Sequence, residues 1–108
     1  MNNNTFKLII TSIDNKNAAI NIGKGLIRNN LASCVQYVEN VKSIYKWNDK
    51  IERSDEILLL IKTKQDKLDI TRNYIIDKHT YDTPEIISIN ISSLNHRYTE
   101  WMLDILNN

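Results

Sequence analysis

The 108-residue sequence has few of the residues that build compact metal and cofactor sites: two glycines, one proline, one cysteine and two histidines. The lone Cys34 excludes a disulfide within the chain. One cysteine and two histidines cannot supply the four ligands of a structural zinc site from a single chain. The Gly-x-Gly at Gly23 and Gly25 lies in an amphipathic stretch rather than in a phosphate-binding loop, so we interpret both as tolerated helix glycines.

Charge and hydropathy exclude further classes. Fourteen Lys and Arg against 13 Asp and Glu leave a formal charge of +1, too little to attract nucleic acid or an anionic membrane. No segment approaches the roughly 20 apolar residues that span a bilayer, and the start of the chain lacks the pattern of a signal peptide. We expect one cytoplasmic domain, residues 1–108, without nucleic-acid or membrane partners, in which Met1 to Thr5 is a flexible N-terminus.

Hydrophobic periodicity predicts the element order βαββαβ followed by a terminal helix. The predicted strands cover residues 6–13, 34–47, 57–61 and 85–91, and the predicted helices cover residues 16–29 and 67–78, with a short helix after Asn95. Helix 16–29 carries its apolar residues at intervals of three and four, at Ala19, Ile22, Leu26 and Ile27. In helix 67–78 the apolar contacts are expected from Leu68, Ile75 and Ile76.

Turn and cap signals separate these elements. Asp66 and Asn95 are typical helix N-caps, and Asn29-Asn30 suits the left-handed end of a helix. The alternation in strand 34–47 loses phase near Glu39-Asn40, which predicts a β-bulge. Asn48-Asp49-Lys50 carries turn chemistry, so the second and third strands are expected to form a hairpin.

This order predicts an α+β, ferredoxin-like sheet of four antiparallel strands, with both main helices on one face. The other face is then expected to be bare. Tyr45, Trp47 and the strand at Ile57 to Ile61, which is apolar on both sides, leave more apolar surface than a soluble monomer usually exposes. A second copy of the chain is the simplest cover, and cyclic symmetry is its usual form.

The segment from His79 to Glu85 concentrates an imidazole, a phenol and two carboxylates within seven residues. His79 with Glu85 or Asp82 could offer nitrogen and oxygen ligands to a divalent metal. The alternative is structural: His79 favours the helix dipole, Pro84 prevents further helix, and Glu85 pairs with a lysine.

The remaining candidates have stronger structural than functional interpretations. Cys34 opens a strand, where a lone cysteine is more often a small hydrophobe than a nucleophile. Tyr45 and Trp47 share a strand face and favour packing over base stacking, because basic residues are few beside them. His96 is most simply a surface residue. No complete set of nucleophile, base and oxyanion donors is present, so we expect no enzymatic activity.

The sequence resembles the CutA family of divalent cation tolerance proteins from Phe6 to Leu106. The motifs that carry the resemblance are Leu31-Ala32-Ser33-Cys34-Val35, the stretch from Ser43 to Glu52, Ile61-Lys62-Thr63, the segment from His79 to Glu85, and Tyr98 with Trp101. The resemblance implies a ferredoxin-like subunit with an extra C-terminal helix, assembled as a PII-like homotrimer. It also implies a link to copper and other divalent metals without an established reaction.

The family's His-Pro-Tyr-x-x-Pro-Glu pattern matches His79, Tyr81, Pro84 and Glu85, with Thr80 in place of the first proline. Some relatives carry a cysteine, proposed as a copper ligand, where this chain has Thr11, and a second histidine where it has Lys78. A soft sulfur ligand is therefore missing, and a cation is expected beside the site.

Two hypotheses follow. The first is a non-enzymatic homotrimer that binds copper or another divalent metal weakly, through His79 and Glu85, with no organic cofactor. The alternative is a PII-like signalling module that binds a small anionic metabolite in intersubunit clefts through Lys62, His79 and Tyr81.

Overall fold

An antiparallel four-stranded sheet organises the chain in the computed structural model, which describes residues 5–108. The strands β1 (Phe6–Ile13), β2 (Cys34–Trp47), β3 (Lys50–Lys64) and β4 (Ile86–Ile91) lie in the order β2-β3-β1-β4. The helices are α1 (Lys16–Arg28), α2 (Leu68–Lys78) and α3 (His96–Leu106), and a 3₁₀ turn, Gln65–Lys67, leads into α2. The predicted ferredoxin-like α+β fold with an added C-terminal helix is confirmed.

Part of the expected flexible N-terminus lies outside the described residues. Of Met1 to Thr5, the structure describes Thr5, whose carbonyl accepts a hydrogen bond from the Gln65 amide at 2.8 Å. Within residues 5–108, no helix is long and apolar enough to cross a membrane.

The main core lies between one face of the sheet and the helices α1 and α2. Ile9 and Ile13 of β1 both point into it, because alternate residues along a strand share one face. The fully or almost fully buried members from the other elements are Ala19, Ile22, Leu26, Leu59, Ile61 and Ile75. The apolar stripe predicted on α1 is therefore confirmed except at its end, where Ile27 is 40% exposed. On α2, the expected contact Ile76 is also exposed, at 51%.

The second face of the sheet is only partly bare, which corrects the sequence-based expectation. Phe6 faces this side, and a small cluster with Met102 and Leu106 anchors α3 across one end of it. The face remains open beyond α3, where Ile87 and Ile89 of β4 are each half exposed. These two residues lie opposite Ile10 and Leu8 of β1 in the antiparallel register.

Three asparagines and one aspartate adopt left-handed backbone conformations at the predicted turns. Asn40 has φ 65° within the bulge between Val38 and Val41. Asn48 and Asp49 have φ values of 51° and 64°, the pattern of a two-residue hairpin turn. Asn30 has φ 56° just after α1. The bulge, hairpin and helix-end predictions are all confirmed.

The predicted Asp66 cap is wrong. Lys67 occupies the N-cap position of α2 without a side-chain hydrogen bond, and Asp66 lies within the 3₁₀ turn, 3.4 Å from Nζ of Lys64. In contrast, the side chain of Asn95 caps α3 by accepting hydrogen bonds from the amides of Arg97 and Tyr98. The 3₁₀ turn moves the helix start one residue later, from the predicted Lys67 to Leu68, which removes Asp66 from the capping position.

Gly25 is not a merely tolerated helix glycine. If position 25 carried a Cβ, Cζ of Tyr74 would lie 2.7 Å from it, and the Tyr74 hydroxyl would lie closer still. Glycine at this position therefore allows α2 to pack its Tyr74 against the backbone of α1.

We expect Gly25→Ala to lower the free energy of unfolding by about 1–2 kcal/mol, because the methyl group displaces the Tyr74 ring. In a Tyr74→Ala background the same substitution should instead raise stability by up to about 1 kcal/mol, through helix propensity. Chemical denaturation of the four proteins measures both effects. Equal effects of Gly25→Ala in the two backgrounds would show that Tyr74 does not explain the glycine.

Candidate functional site

A groove of about 780 Å³ lies on the second face of the sheet, and the segment between α2 and β4 forms one of its walls with Tyr81, Asp82, Thr83 and Glu85. The end of β1 and the β2–β3 hairpin supply the other walls, including Tyr45 and Trp47. Its carboxylates are Asp14, Glu52, Glu56, Asp82 and Glu85, and no lysine, arginine or histidine from the described residues lines it. We call this feature the acidic groove.

The two ring nitrogens of His79 hold this wall in place through hydrogen bonds. His79 follows the last residue of α2, and its amide donates to the Ile75 carbonyl at 2.8 Å. The Tyr81 amide donates to Nδ1 at 3.0 Å, which places the ring proton on Nε2. Nε2 can then donate to the Ser12 carbonyl, 2.9 Å away. Both ring nitrogens are thus engaged, so a metal could bind His79 only if one of these hydrogen bonds broke.

Tyr81 ties the same wall to β3. Its hydroxyl donates a hydrogen bond of 2.7 Å to Oε2 of Glu56, a carboxylate that is only 8% exposed. Burial, the hydrogen bond to Glu56 and the negative charges of Glu56 and Asp14 together raise the pKa of Tyr81 well above its usual value. The phenol therefore stays protonated and serves as the hydrogen-bond donor that a buried carboxylate requires.

The two carboxylates predicted as ligands lie at this groove with different surroundings. Glu85 accepts a hydrogen bond from Oγ of Ser12 at 3.2 Å, whereas Asp82 is exposed and has no such contact with any residue from 5 to 108. Pro84, which lies between Asp82 and Glu85 in the sequence, is half-buried. Among residues 5–108, no group of three or more His, Cys, Asp or Glu side chains is arranged to hold a metal ion. The described part of one chain therefore offers negative charge but no complete coordination shell.

Lys62 lies in a different part of the molecule. Its Nζ donates to the Tyr98 hydroxyl at 3.2 Å, and it pairs with Leu8 of β1 on one side and with Cys34 of β2 on the other. Leu8 precedes Ser12 by four residues, about 13 Å along a strand. Lys62 therefore does not meet His79 and Tyr81 within one chain. The acidic lining beside Tyr81 disfavours the anionic-metabolite alternative.

The model of the CutA1 divalent ion tolerance protein family matches residues 7–104. This chain belongs to that family. It is 37% identical over 92 residues to a CutA homolog of Xenopus laevis, covering 85% of this chain and 61% of that protein. It is 29% identical over 96 residues to the divalent-cation tolerance protein CutA of Thermus thermophilus, covering 89% and 93% of the two chains.

Solved structures of the family share the fold. The crystal structure of CutA1 from Oryza sativa superimposes with a TM-score of 0.90 at 32% identity, covering 94% of this chain and 93% of that one. CutA1 from Ehrlichia chaffeensis gives a TM-score of 0.87 at 31% identity, covering 94% of each chain. The family is named for tolerance to divalent ions rather than for a reaction.

Two of the departures from the family pattern, Thr11 and Lys78, are not among the residues that line the groove. Thr11 is fully buried on the face that packs against α1 and α2, and its Oγ1 has no hydrogen-bond partner among the described residues. Lys78 lies 3.5 Å from a carboxylate oxygen of Asp77 and over the ring of Tyr74. The Lys78 ammonium, the cation expected beside the site, therefore contacts Asp77 and Tyr74 instead of lining the groove.

The remaining candidates do not line the groove. Cys34 is a half-buried free thiol on the edge strand β2. Tyr98 and Trp101 contact each other on α3, with ring centroids 5.4 Å apart. His96 is exposed and lies 3.4 Å from Glu100 one helical turn later.

Sequence reasoning missed the residues that complete the groove: Ser12, Asp14, Glu52 and Glu56. Glu56 carried a weak signal, because it is a charged residue directly before the apolar run Ile57 to Ile61. Its partner Tyr81 lies 25 residues further along the chain, so no local pattern links the two.

We expect Tyr81→Phe to lower the free energy of unfolding by about 1–2 kcal/mol at pH 7, because Glu56 loses its donor. The raised pKa of Tyr81 means that the unfolded chain releases this proton near pH 10 while the folded protein retains it. Wild-type stability should therefore fall as the pH rises above about 10, and Tyr81→Phe should fall less steeply.

Denaturant unfolding at pH 7 and pH 11 tests this expectation. Tyr37→Phe is the matched control, since the Tyr37 hydroxyl has no hydrogen-bond partner among the described residues, and it should behave as wild type at pH 7. Indistinguishable stabilities of wild type and Tyr81→Phe at both pH values would contradict the assigned role.

Proposed function

We propose that this protein binds divalent cations weakly in the acidic groove and so contributes to tolerance of metal ions. The observation that carries the proposal is the lining itself: five carboxylates with no cationic side chain from the described residues. Such a lining raises the local concentration of cations. Membership of the divalent ion tolerance family supports the same conclusion.

The proposed ligands are Asp82, Glu85 and His79. Asp82 and Glu85 present carboxylate oxygens at the exposed wall. The imidazole, which does not line the groove, can join them through Nδ1 if it gives up the hydrogen bond from the Tyr81 amide. An imidazole with two carboxylates suits zinc or copper(II). Binding is weak because one hydrogen bond must be broken and the carboxylates do not converge within one chain.

The donor set disfavours a soft copper(I) site. Cys34 is opposite Lys62, beside the Leu8 part of β1, whereas the groove begins at Ser12. Its thiol is therefore remote from the groove, and the oxygen-rich lining lacks the sulfur that copper(I) prefers. The same separation leaves Cys34 without His79 as a base, which supports a binding role rather than catalysis.

We further propose that the protein works as a homotrimer. The part of the second sheet face beyond α3 is apolar, with Ile87 and Ile89 half exposed. The β2–β3 hairpin extends this surface, because Trp47 is 55% exposed and Tyr45, on the same face, is 44% exposed. Association of three copies would cover these residues and could bring carboxylates of neighbouring acidic grooves together.

Calorimetric titration with Zn²⁺ and Cu²⁺ tests the metal site. We expect Asp82→Asn/Glu85→Gln to weaken binding by at least about tenfold, since two ligand charges are lost. Asp69→Asn/Glu100→Gln removes the same two charges outside the groove and should bind as wild type. His79→Ala should weaken Cu²⁺ binding. Equal affinities of wild type and the groove variant, or no binding of either metal, would refute the proposed site.

Light scattering on a sizing column tests the assembly. The wild type should show about three times the chain mass of 12.6 kDa. We expect Ile87→Lys/Ile89→Lys to reduce the mass to that of one chain, because charge is placed in the apolar face. The control Ile70→Lys/Ile76→Lys alters two equally exposed isoleucines of α2 and should leave the mass unchanged. A wild-type mass of one chain would refute the trimer.

A further inference from the structure

A second groove, of about 530 Å³, lies between α1 and the edge strand β2. It shares no lining residue with the acidic groove, and its size falls within the range of small-molecule sites. We call it the edge groove.

The edge groove is mainly apolar at its base. Ala19 and Gly23 lie one helical turn apart on α1, and both line it. Because Gly23 has no side chain, Val35 of β2 approaches closely: its Cγ1 would lie 3.3 Å from a Cβ at position 23. Ile20 and Ile27 add apolar side chains, and Ile27 is the helix residue that the core leaves 40% exposed.

The polar groups of the edge groove are two cations and a phenol. Lys24 and Arg28 lie four residues apart on α1 and therefore on the same side of the helix. Within residues 5–108, neither side chain nor the Tyr37 hydroxyl forms an ion pair or hydrogen bond. No aspartate or glutamate lines the groove. Its charge is thus opposite to that of the acidic groove.

We propose that the edge groove binds a small amphiphilic carboxylate, a molecule with one anionic head and an apolar body of roughly ten carbons. The head is held between Lys24 and Arg28, because a guanidinium can donate two parallel hydrogen bonds to a carboxylate. Tyr37 can donate a third. The apolar body lies along Ile20, Ile27 and Val35, where its burial removes apolar surface from water.

Amide chemical shifts of the wild-type protein, titrated with three probes, test this site. Decanoate carries both head and body, acetate carries the head alone, and decylammonium carries a similar body with the opposite charge. We expect decanoate to shift amides around the edge groove and to saturate with a Kd of about 1 mM. Acetate and decylammonium should bind at least about tenfold more weakly, because each lacks one of the two recognised features.

Two double substitutions separate the proposed contacts from net charge. Lys24→Gln/Arg28→Gln should weaken decanoate binding at least about fivefold, since the head loses both cations. Lys46→Gln/Arg97→Gln removes one lysine and one arginine from exposed positions elsewhere and should bind as wild type. The dispersion of the amide spectrum verifies that both variants are folded.

Four outcomes would overturn the proposal. They are shifts centred away from the edge groove, equal affinity for decylammonium, an unchanged affinity of the Lys24→Gln/Arg28→Gln variant, and a lack of saturation by about 10 mM decanoate. Saturable binding that responds to the groove variant alone would support it. The acidic groove is not involved, so failure of the metal experiments leaves this test unaffected.

Discussion

The register of β1 between β3 and β4 is the constraint on which the rest of the structure depends. β1 is paired on both sides, and its alternate residues have different tasks: Ile9 and Ile13 face the main core, whereas Phe6 anchors α3 and Ser12 faces the acidic groove. A shift of one residue would exchange the two faces, turning Ser12 into the apolar core and Ile13 toward the groove. Core, terminal helix and groove are therefore consequences of one pairing.

The pairing of β1 also determines the position of residues 79–85, which form no helix or strand and supply one wall of the acidic groove. His79 and Glu85 both bond to Ser12, and Tyr81 bonds to Glu56 on the neighbouring strand. The imidazole that the sequence made the first metal candidate thus holds the segment in place, while the carboxylates of Asp82 and Glu85 stay exposed. The proposed cation site would accordingly bind weakly and reversibly, since among residues 5–108 no group of three or more ligands converges.

Two grooves of opposite charge flank the β2 strand. The acidic groove involves the distal hairpin and the open face, whereas the edge groove involves α1 and the beginning of β2 on the helical face. The bulge between Val38 and Val41 separates these two halves of the strand, adding one residue and changing the phase of its side chains. A chain with a net charge of only +1 therefore presents two local fields, which overall composition cannot reveal.

By itself, the sequence determined the element order, the hairpin turn at Asn48-Asp49, the bulge and the family, because these depend on local periodicity, backbone preference and contiguous motifs. Tertiary structure alone decided that Gly25 makes room for Tyr74, that Asp66 does not cap its helix, and that α3 covers part of the open face. It also decided the partners of His79 and Tyr81. Residues as far apart as Ser12 and Glu85 become neighbours only when the sheet has formed, and nothing in either local sequence specifies the other.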